Sequence, residues 1–122
     1  MKDKTNKGYH KLLIWKKAYE LALLIYQITK DFPDTEKFGL VSQLRRAAVS
    51  VVLTIIEGYR RSTKKDFLHF LNISSSSLAE VEGAVELSFG LGFISQKQFD
   101  LADEKIAEEA YLLNSFSNSL CK

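Results

Sequence analysis

The sequence predicts an all-α fold, an up-down-up-down antiparallel four-helix bundle, and three observations carry that prediction. No segment keeps up the alternation of apolar and polar residues that a half-buried strand requires. Apolar residues recur instead at steps of three and four along most of the chain. The periodic segments are four, of similar length, and the breaks between them are short and carry Pro, Gly or Ser. Four amphipathic helices with short connections cover one another most simply as an antiparallel bundle.

Helix one is expected over about 12–31, a stretch rich in Leu, Ala, Lys, Glu and Gln with no Pro or Gly before Pro33. Helix two is expected over about 36–60, with Asp34 or Thr35 capping its first amide groups and Gly39 bending or interrupting its first turn. Helix three is expected over about 63–91 behind Ser62 as N-cap. Its seam reads Phe67, Leu71, Ser74, Leu78, Val81, Val85 and Ser88, at alternating steps of four and three. Gly90 and Gly92 end it. Helix four is expected over about 95–120, opened by a Ser95/Gln98 capping box and striped by Phe99, Ala102, Ile106, Ala110, Leu113, Phe116 and Leu120. Residues 1–10 read as a flexible basic tail and 11–122 as a single domain.

The composition, 46% hydrophobic and 26% charged with one proline, belongs to a globular chain rather than a disordered one. The amino terminus has no apolar signal region, and the most apolar run, Ala47 to Ile56, is about half of the roughly 20 residues a membrane span needs. The single cysteine, Cys121, has no intrachain partner, which fits a reducing, cytoplasmic setting. The net charge of +2 hides a strong polarity: residues 1–65 hold fourteen Lys/Arg against six Asp/Glu, a surplus of +8, while residues 66–122 hold three against nine, or −6. In the predicted topology the start of helix one, the junction of helices two and three and the end of helix four share one pole. That pole gathers Lys11, Lys16, Lys17, Arg60, Arg61, Lys64 and Lys65, with Lys2, Lys4 and Lys7 nearby. Such a pole suits a phosphate backbone.

Helices one and two carry more apolar surface than a bundle position can hide. Leu21-Ala22-Leu23-Leu24-Ile25-Tyr26 is apolar around the whole circumference, and Ala47 to Ile56 is broken only by Ser50 and Thr54, both able to bond to their own helix backbone. At about 25 cal/mol per Å² of apolar area, leaving that face in water forgoes several kcal/mol per subunit. The sequence therefore predicts a homo-oligomer, with Leu21, Leu24, Ile25, Val49, Val52, Leu53 and Ile56 at the interface.

The chemical inventory is thin. Asp66 and His69 make a single imperfect copy of the paired Glu-x-x-His motifs of bundle metal sites, so His69 is read as pairing with Asp66. Glu57 follows an apolar run at helical spacing from Arg60 and Arg61, and is read as pairing locally or with Arg45 or Arg46 of a neighbouring turn or subunit. Ser74 to Ser77 lack any nucleophile-elbow context and are read as small residues on a packing seam. No catalytic residue, cofactor or metal is expected.

Several segments also resemble a known family. Trp15-Lys16-Lys17-Ala18-Tyr19-Glu20-Leu21, then Phe32-Pro33 with Glu36, then Phe38 through Ser50 as FGLVSQLRRAAVS, then Ile56-Glu57-Gly58, Arg61, Phe67, Phe70-Leu71 and Ser77-Leu78-Ala79-Glu80 are similar, in this order, to the bacterial 23S rRNA intervening-sequence proteins. Where that family usually has Asn-Ile-Ala-Glu-Gly this chain has Thr54-Ile55-Ile56-Glu57-Gly58, and Ser76 replaces a usual glycine. The resemblance implies a compact bundle that assembles into a homopentamer. It also implies kinship with the accessory protein of diversity-generating retroelements, whose basic surface binds nucleic acid and a reverse transcriptase. It implies no settled activity, since the family name reflects where some of its genes sit.

The expectation is therefore a non-enzymatic oligomeric adaptor that binds RNA or DNA backbone without sequence preference. Arg60, Arg61, Lys64 and Lys65 are the leading contacts, and Lys16 and Lys17 come next. The alternative is a protein-protein scaffold that docks a partner through Glu80, Glu82, Glu86, Asp103, Glu104, Glu108 and Glu109.

Overall fold

The computed structural model describes residues 7–121, which contain four α-helices: α1 (Leu13–Thr29), α2 (Leu40–Tyr59), α3 (Lys64–Gly90) and α4 (Gln96–Leu120). Short 3-10 turns at Gly8–Lys11 and Asp34–Glu36 precede α1 and α2, and no strand occurs among the described residues. Each helix packs on its neighbours in sequence, and α4 closes the square against α1. Cross-helix contacts fix the directions. Gln43 bonds to Glu80, Ser74 to the Val51 carbonyl, and Gly58 lies against Phe67 and Phe70, so α3 runs back along α2. Glu20 meets Lys105 and Lys17 meets Glu108, so α4 runs against α1. Thr29 meets Arg45 at one end of the α1–α2 pair and Tyr9 meets Tyr59 at the other. Phe67 with Phe116 and Phe89 with Phe99 do the same for α3 and α4. All four helices alternate in direction.

Helix ends follow local chemistry. Helix α2 starts four residues later than the spacing suggests, because Asp34–Glu36 is wound as a 3-10 turn and neither Asp34 nor Thr35 caps it. Glu36 Oε1 instead accepts the Leu40 amide at 3.2 Å, just after the break at Gly39. Thr63, not Ser62, caps α3 by accepting from the Asp66 amide at 3.1 Å. Ser95 and Gln98 form the expected reciprocal capping box on α4. Gly92 has a φ of 82°, the left-handed position that lets the chain turn sharply out of α3.

The core is one apolar cluster fed by every helix, with Leu21, Ile25, Leu44, Val51, Ile55, Leu71, Val81, Val85 and Leu113 sealed from water. The α2–α3 seam is built on small polar groups. Ser74 Oγ donates to the Val51 carbonyl at 3.0 Å and Ser50 Oγ meets Ser77 Oγ at 2.7 Å, so buried hydroxyls are satisfied while the helices come close. Thr54 bonds to its own helix at the Ser50 carbonyl, whereas Ser50 reaches across to α3 instead. On α4 the expected stripe is corrected at one place. Ala110 is exposed in a groove of about 230 Å³ lined by small residues including Ser75, Ala79 and Ala107, and the neighbouring Glu109 turns inward and is fully buried.

Candidate nucleic-acid interface

The pole formed by the start of α1, the α2–α3 junction and the end of α4 is organised by aromatic rings. Residues 8–11 are not a free tail: Gly8 lies directly under the Tyr59 hydroxyl, and Tyr9 packs edge-on against Trp15 and Tyr59. His10 lies 4.6 Å from Trp15, which stacks in turn on Tyr19 at 5.2 Å. Lys7 donates its amide to His10 Nδ1 at 3.0 Å, fixing that nitrogen as an acceptor. The Trp15 indole is thus occupied by its neighbours, and Tyr19 and Tyr59 are the exposed rings. Lys2 and Lys4 lie outside the described residues.

Onto this base the fold sets the cations. Arg60 and Arg61 follow α2 directly, with the Arg60 guanidinium 5.9 Å from the Tyr9 ring and that of Arg61 4.5 Å from Phe70. A guanidinium over a ring face is held in place and keeps its charge. Lys64 and Lys65 open α3, and Lys11 and Lys16 flank the start of α1, all exposed. Among the described residues none of these six has a carboxylate within 4.0 Å. Lys17 departs from the expected set. It is half-buried on the α1–α4 seam, 3.7 Å from Glu20 and 3.6 Å from Glu108, so its charge is matched by these partly exposed carboxylates.

Other expected pairings are redrawn. Glu57 is exposed and makes no ion pair among the described residues. Arg45 is taken by Thr29 Oγ1 at 2.9 Å and by the Tyr26 ring at 4.6 Å, and Arg46 by Ser42. His69 packs edge-on against Phe70 with no ion pair to Asp66. No group of three or more metal-binding side chains occurs among the described residues.

The proposed oligomer face divides in two. Leu21, Leu24 and Ile25 are buried inside the single subunit, because α1 points them at α2 and α4, so they offer nothing to a second copy. Val49, Val52 and Ile56 stay partly exposed and Leu53 is 50% exposed, an outward stripe along α2. The outward face of α1 carries Tyr19, Leu23 and Tyr26, all exposed. Their spacing of four and three already marks them as one stripe.

Glu109 is the other feature that the residue types disguised. Both carboxylate oxygens are sealed from solvent without a hydrogen-bond partner among the described residues. Burial, with a smaller push from the Glu108 charge and some relief from Lys17, raises its pKa from 4.5 to about 9. It therefore leaves the acidic docking surface assigned to it. Among the described residues no helix is long and apolar enough to cross a membrane.

No curated protein matches the chain. A solved structure from Bacteroides thetaiotaomicron VPI-5482, a protein of unknown function from the S23 ribosomal protein family, superimposes with a TM-score of 0.78. Its sequence identity is 24%, over 86% of this chain and 98% of that one, a likeness of fold. The model of the 23S rRNA-intervening sequence protein family matches residues 10–115, nearly the whole bundle. The chain belongs to the 23S rRNA-intervening sequence protein family.

Proposed function

We propose that this protein is a non-enzymatic, self-associating bundle that binds the backbone of RNA or DNA through its basic pole, as an adaptor or accessory protein. The observation that carries the reading is the collection of Arg60, Arg61, Lys64, Lys65, Lys11 and Lys16 at one end of the molecule with no internal carboxylate partner among the described residues. Cations without internal partners neutralise phosphates and release counterions, whatever the base sequence. The exposed rings of Tyr19 and Tyr59 border this surface and can stack on an unpaired base. A ring of copies, five in the assembly that the resemblance implies, repeats the pole and turns modest local charge into avidity.

Fluorescence anisotropy with a generic RNA or DNA duplex over a salt series tests the reading. Affinity should fall steeply with salt, with a slope of about −0.9 per phosphate met. Changing Arg60, Arg61, Lys64 and Lys65 to Gln should flatten that slope, and Lys17→Gln should leave it nearly unchanged. Absence of binding at low salt, or a quadruple variant that binds like wild type, removes the proposal.

One observation favours a second reading. The acidic faces of α3 and α4, with Glu80, Glu82, Glu86, Asp103 and Glu104, also expose Leu87, Leu101 and Tyr111. Acid and apolar groups together suit a basic, amphipathic protein partner, such as a nucleic-acid enzyme of the reverse transcriptase kind. Charge reversal on these acids that abolished partner capture while leaving nucleic-acid binding intact would favour this scaffold role.

A further inference from the structure

Glu109 sits in the fourth turn of α4, within the bundle interior and next to Glu108, which pairs with Lys17 of α1. It is the one charged residue type among the buried side chains of the described residues. Neither oxygen has a partner, although a buried carboxylate left ionised and unpaired is among the most costly arrangements in a protein. The groups around it explain why no partner is found. On α1 the only charge that reaches it is Lys17, which is already shared by Glu20 and Glu108. On its own helix Lys105 is tied to Glu20, and Glu108 repels it. The buried side chains that α2 and α3 bring to the interior carry no charge. On α3 the nearest acid in the α3–α4 groove, Glu82, stands with Ile106, Ala107 and Ala110 rather than with Glu109.

We propose that Glu109 is a proton-operated latch on the α1–α4 seam: as the neutral acid it lets α4 close on α1, and α4 holds more tightly as the pH falls. The polar ties of α4 to α1 are weaker than those between α2 and α3, and its remaining ties, to α3, are ring contacts of Phe116 with Phe67 and of Phe99 with Phe89. The α2–α3 seam is held by a buried hydroxyl bond at 3.0 Å and a part-buried one at 2.7 Å, whereas across α1–α4 the polar ties are partly exposed ion pairs at 3.5 and 3.6 Å. When α4 swings out, Glu109 reaches water and gives up its proton, so opening is linked to deprotonation. The sign follows. The closed form holds one more proton than the open form between the solvated pKa of 4.5 and the buried one of about 9, so attachment is firmest near pH 4.5 and is lost progressively up to pH 9. This device is independent of any nucleic-acid role, and it spans the physiological pH range.

Hydrogen exchange read helix by helix tests it, with intrinsic rates corrected for pH. In wild type the opening constant of α4 should rise about tenfold per pH unit between pH 5 and pH 9, while α2 and α3 change far less. In Glu109→Gln, and in Glu109→Met should the amide fold poorly, α4 protection should be flat over the same range. A second reading uses groups the chain already has. The single tryptophan, Trp15, and the single cysteine, Cys121, lie on α1 and just beyond α4 at the same pole, so energy transfer from Trp15 to an acceptor on Cys121 reports their separation. Transfer should fall as the pH rises in wild type and stay constant in both variants. Identical pH profiles for wild type and variants, or loss of protection in all four helices together, would overturn the latch.

Discussion

Gly58 lies where α2 ends against the beginning of α3, and its missing side chain sets how closely they approach. A Cβ there would stand 2.8 Å from the Phe67 ring and 2.9 Å from the Phe70 Cβ, which is fixed to the backbone and has no rotamer to escape into. Alanine would gain about 1 kcal/mol of helix propensity but meets an overpacking term of about 1–3 kcal/mol. Gly58→Ala should therefore lower stability by up to about 2 kcal/mol in urea denaturation. Gly83 is the internal control: it is exposed in mid-α3 with nothing within 4 Å, so Gly83→Ala should raise stability by about 0.5–1 kcal/mol. The opposite signs are the test, and equal shifts would refute the packing argument. Glu109 gives a pH-dependent counterpart. Folding raises its pKa, so between about pH 4.5 and 9 the group removes about 1.4 kcal/mol of stability per pH unit. Glu109→Met should be more stable than wild type, and by more at pH 8 than at pH 5. Parallel pH curves would show that the carboxyl is solvated. This residue was hidden from sequence reasoning because Glu108, Glu109 and Ala110 offer two acids and an alanine to the inward positions: the alternation of three and four selects 109, and only residue type selects the alanine.

At the scale of the helices, four elements and their order were legible because each stripe of apolar residues keeps one period over about five turns or more. The ends were legible where the residue type at the end itself carries the signal, as with Gly92 after α3 and the Ser95/Gln98 pair before α4. Ser95 Oγ accepts the Gln98 amide at 3.1 Å and Gln98 Oε1 accepts the Ser95 amide at 2.8 Å, a pattern written directly in the residue types. Ser95→Ala should cost about 1 kcal/mol and loosen exchange protection in the first turn of α4. Unchanged protection there would mean that packing of Phe99 against Phe89, not the cap, fixes the start of the helix. The start of α2 was misread because its stabilising contact comes from Glu36, four residues upstream across a 3-10 turn. A capping rule that looks one residue upstream cannot see it. The choice between Ser62 and Thr63 is of the same kind, since either hydroxyl suits the role and only the chain direction decides.

At the scale of the whole molecule, charge and apolar surface have to be weighed together. The basic pole was legible because topology alone places those residues at one end, and among the described residues only Lys17 is taken, by carboxylates from two helices. The outward apolar surface was half legible: apolarity around a full circumference marks surplus, but not which side is used inside the subunit. With Leu21, Leu24 and Ile25 in the core, the surface left for a second copy is the pair of stripes Tyr19, Leu23, Tyr26 and Val49, Val52, Leu53, Ile56. That is a smaller driving area than the sequence suggested, so assembly should depend on concentration in the micromolar range rather than be obligate. Leu53, 50% exposed at the centre of the α2 stripe, is the place to break it. Its half-open position lets Leu53→Glu solvate the new charge in the monomer, so helix content should be unchanged, whereas closing an interface over that carboxylate would desolvate it without a partner. Sedimentation velocity should show wild type moving from a 13.9 kDa species to a larger one as concentration rises, and the variant remaining at 13.9 kDa. If the assembly multiplies the pole, the same substitution should also reduce the salt slope of nucleic-acid binding to that of a single pole, although Leu53 touches no phosphate. A variant that is monomeric yet binds with the wild-type slope would separate the two properties, leaving one subunit's cations as the complete binding site.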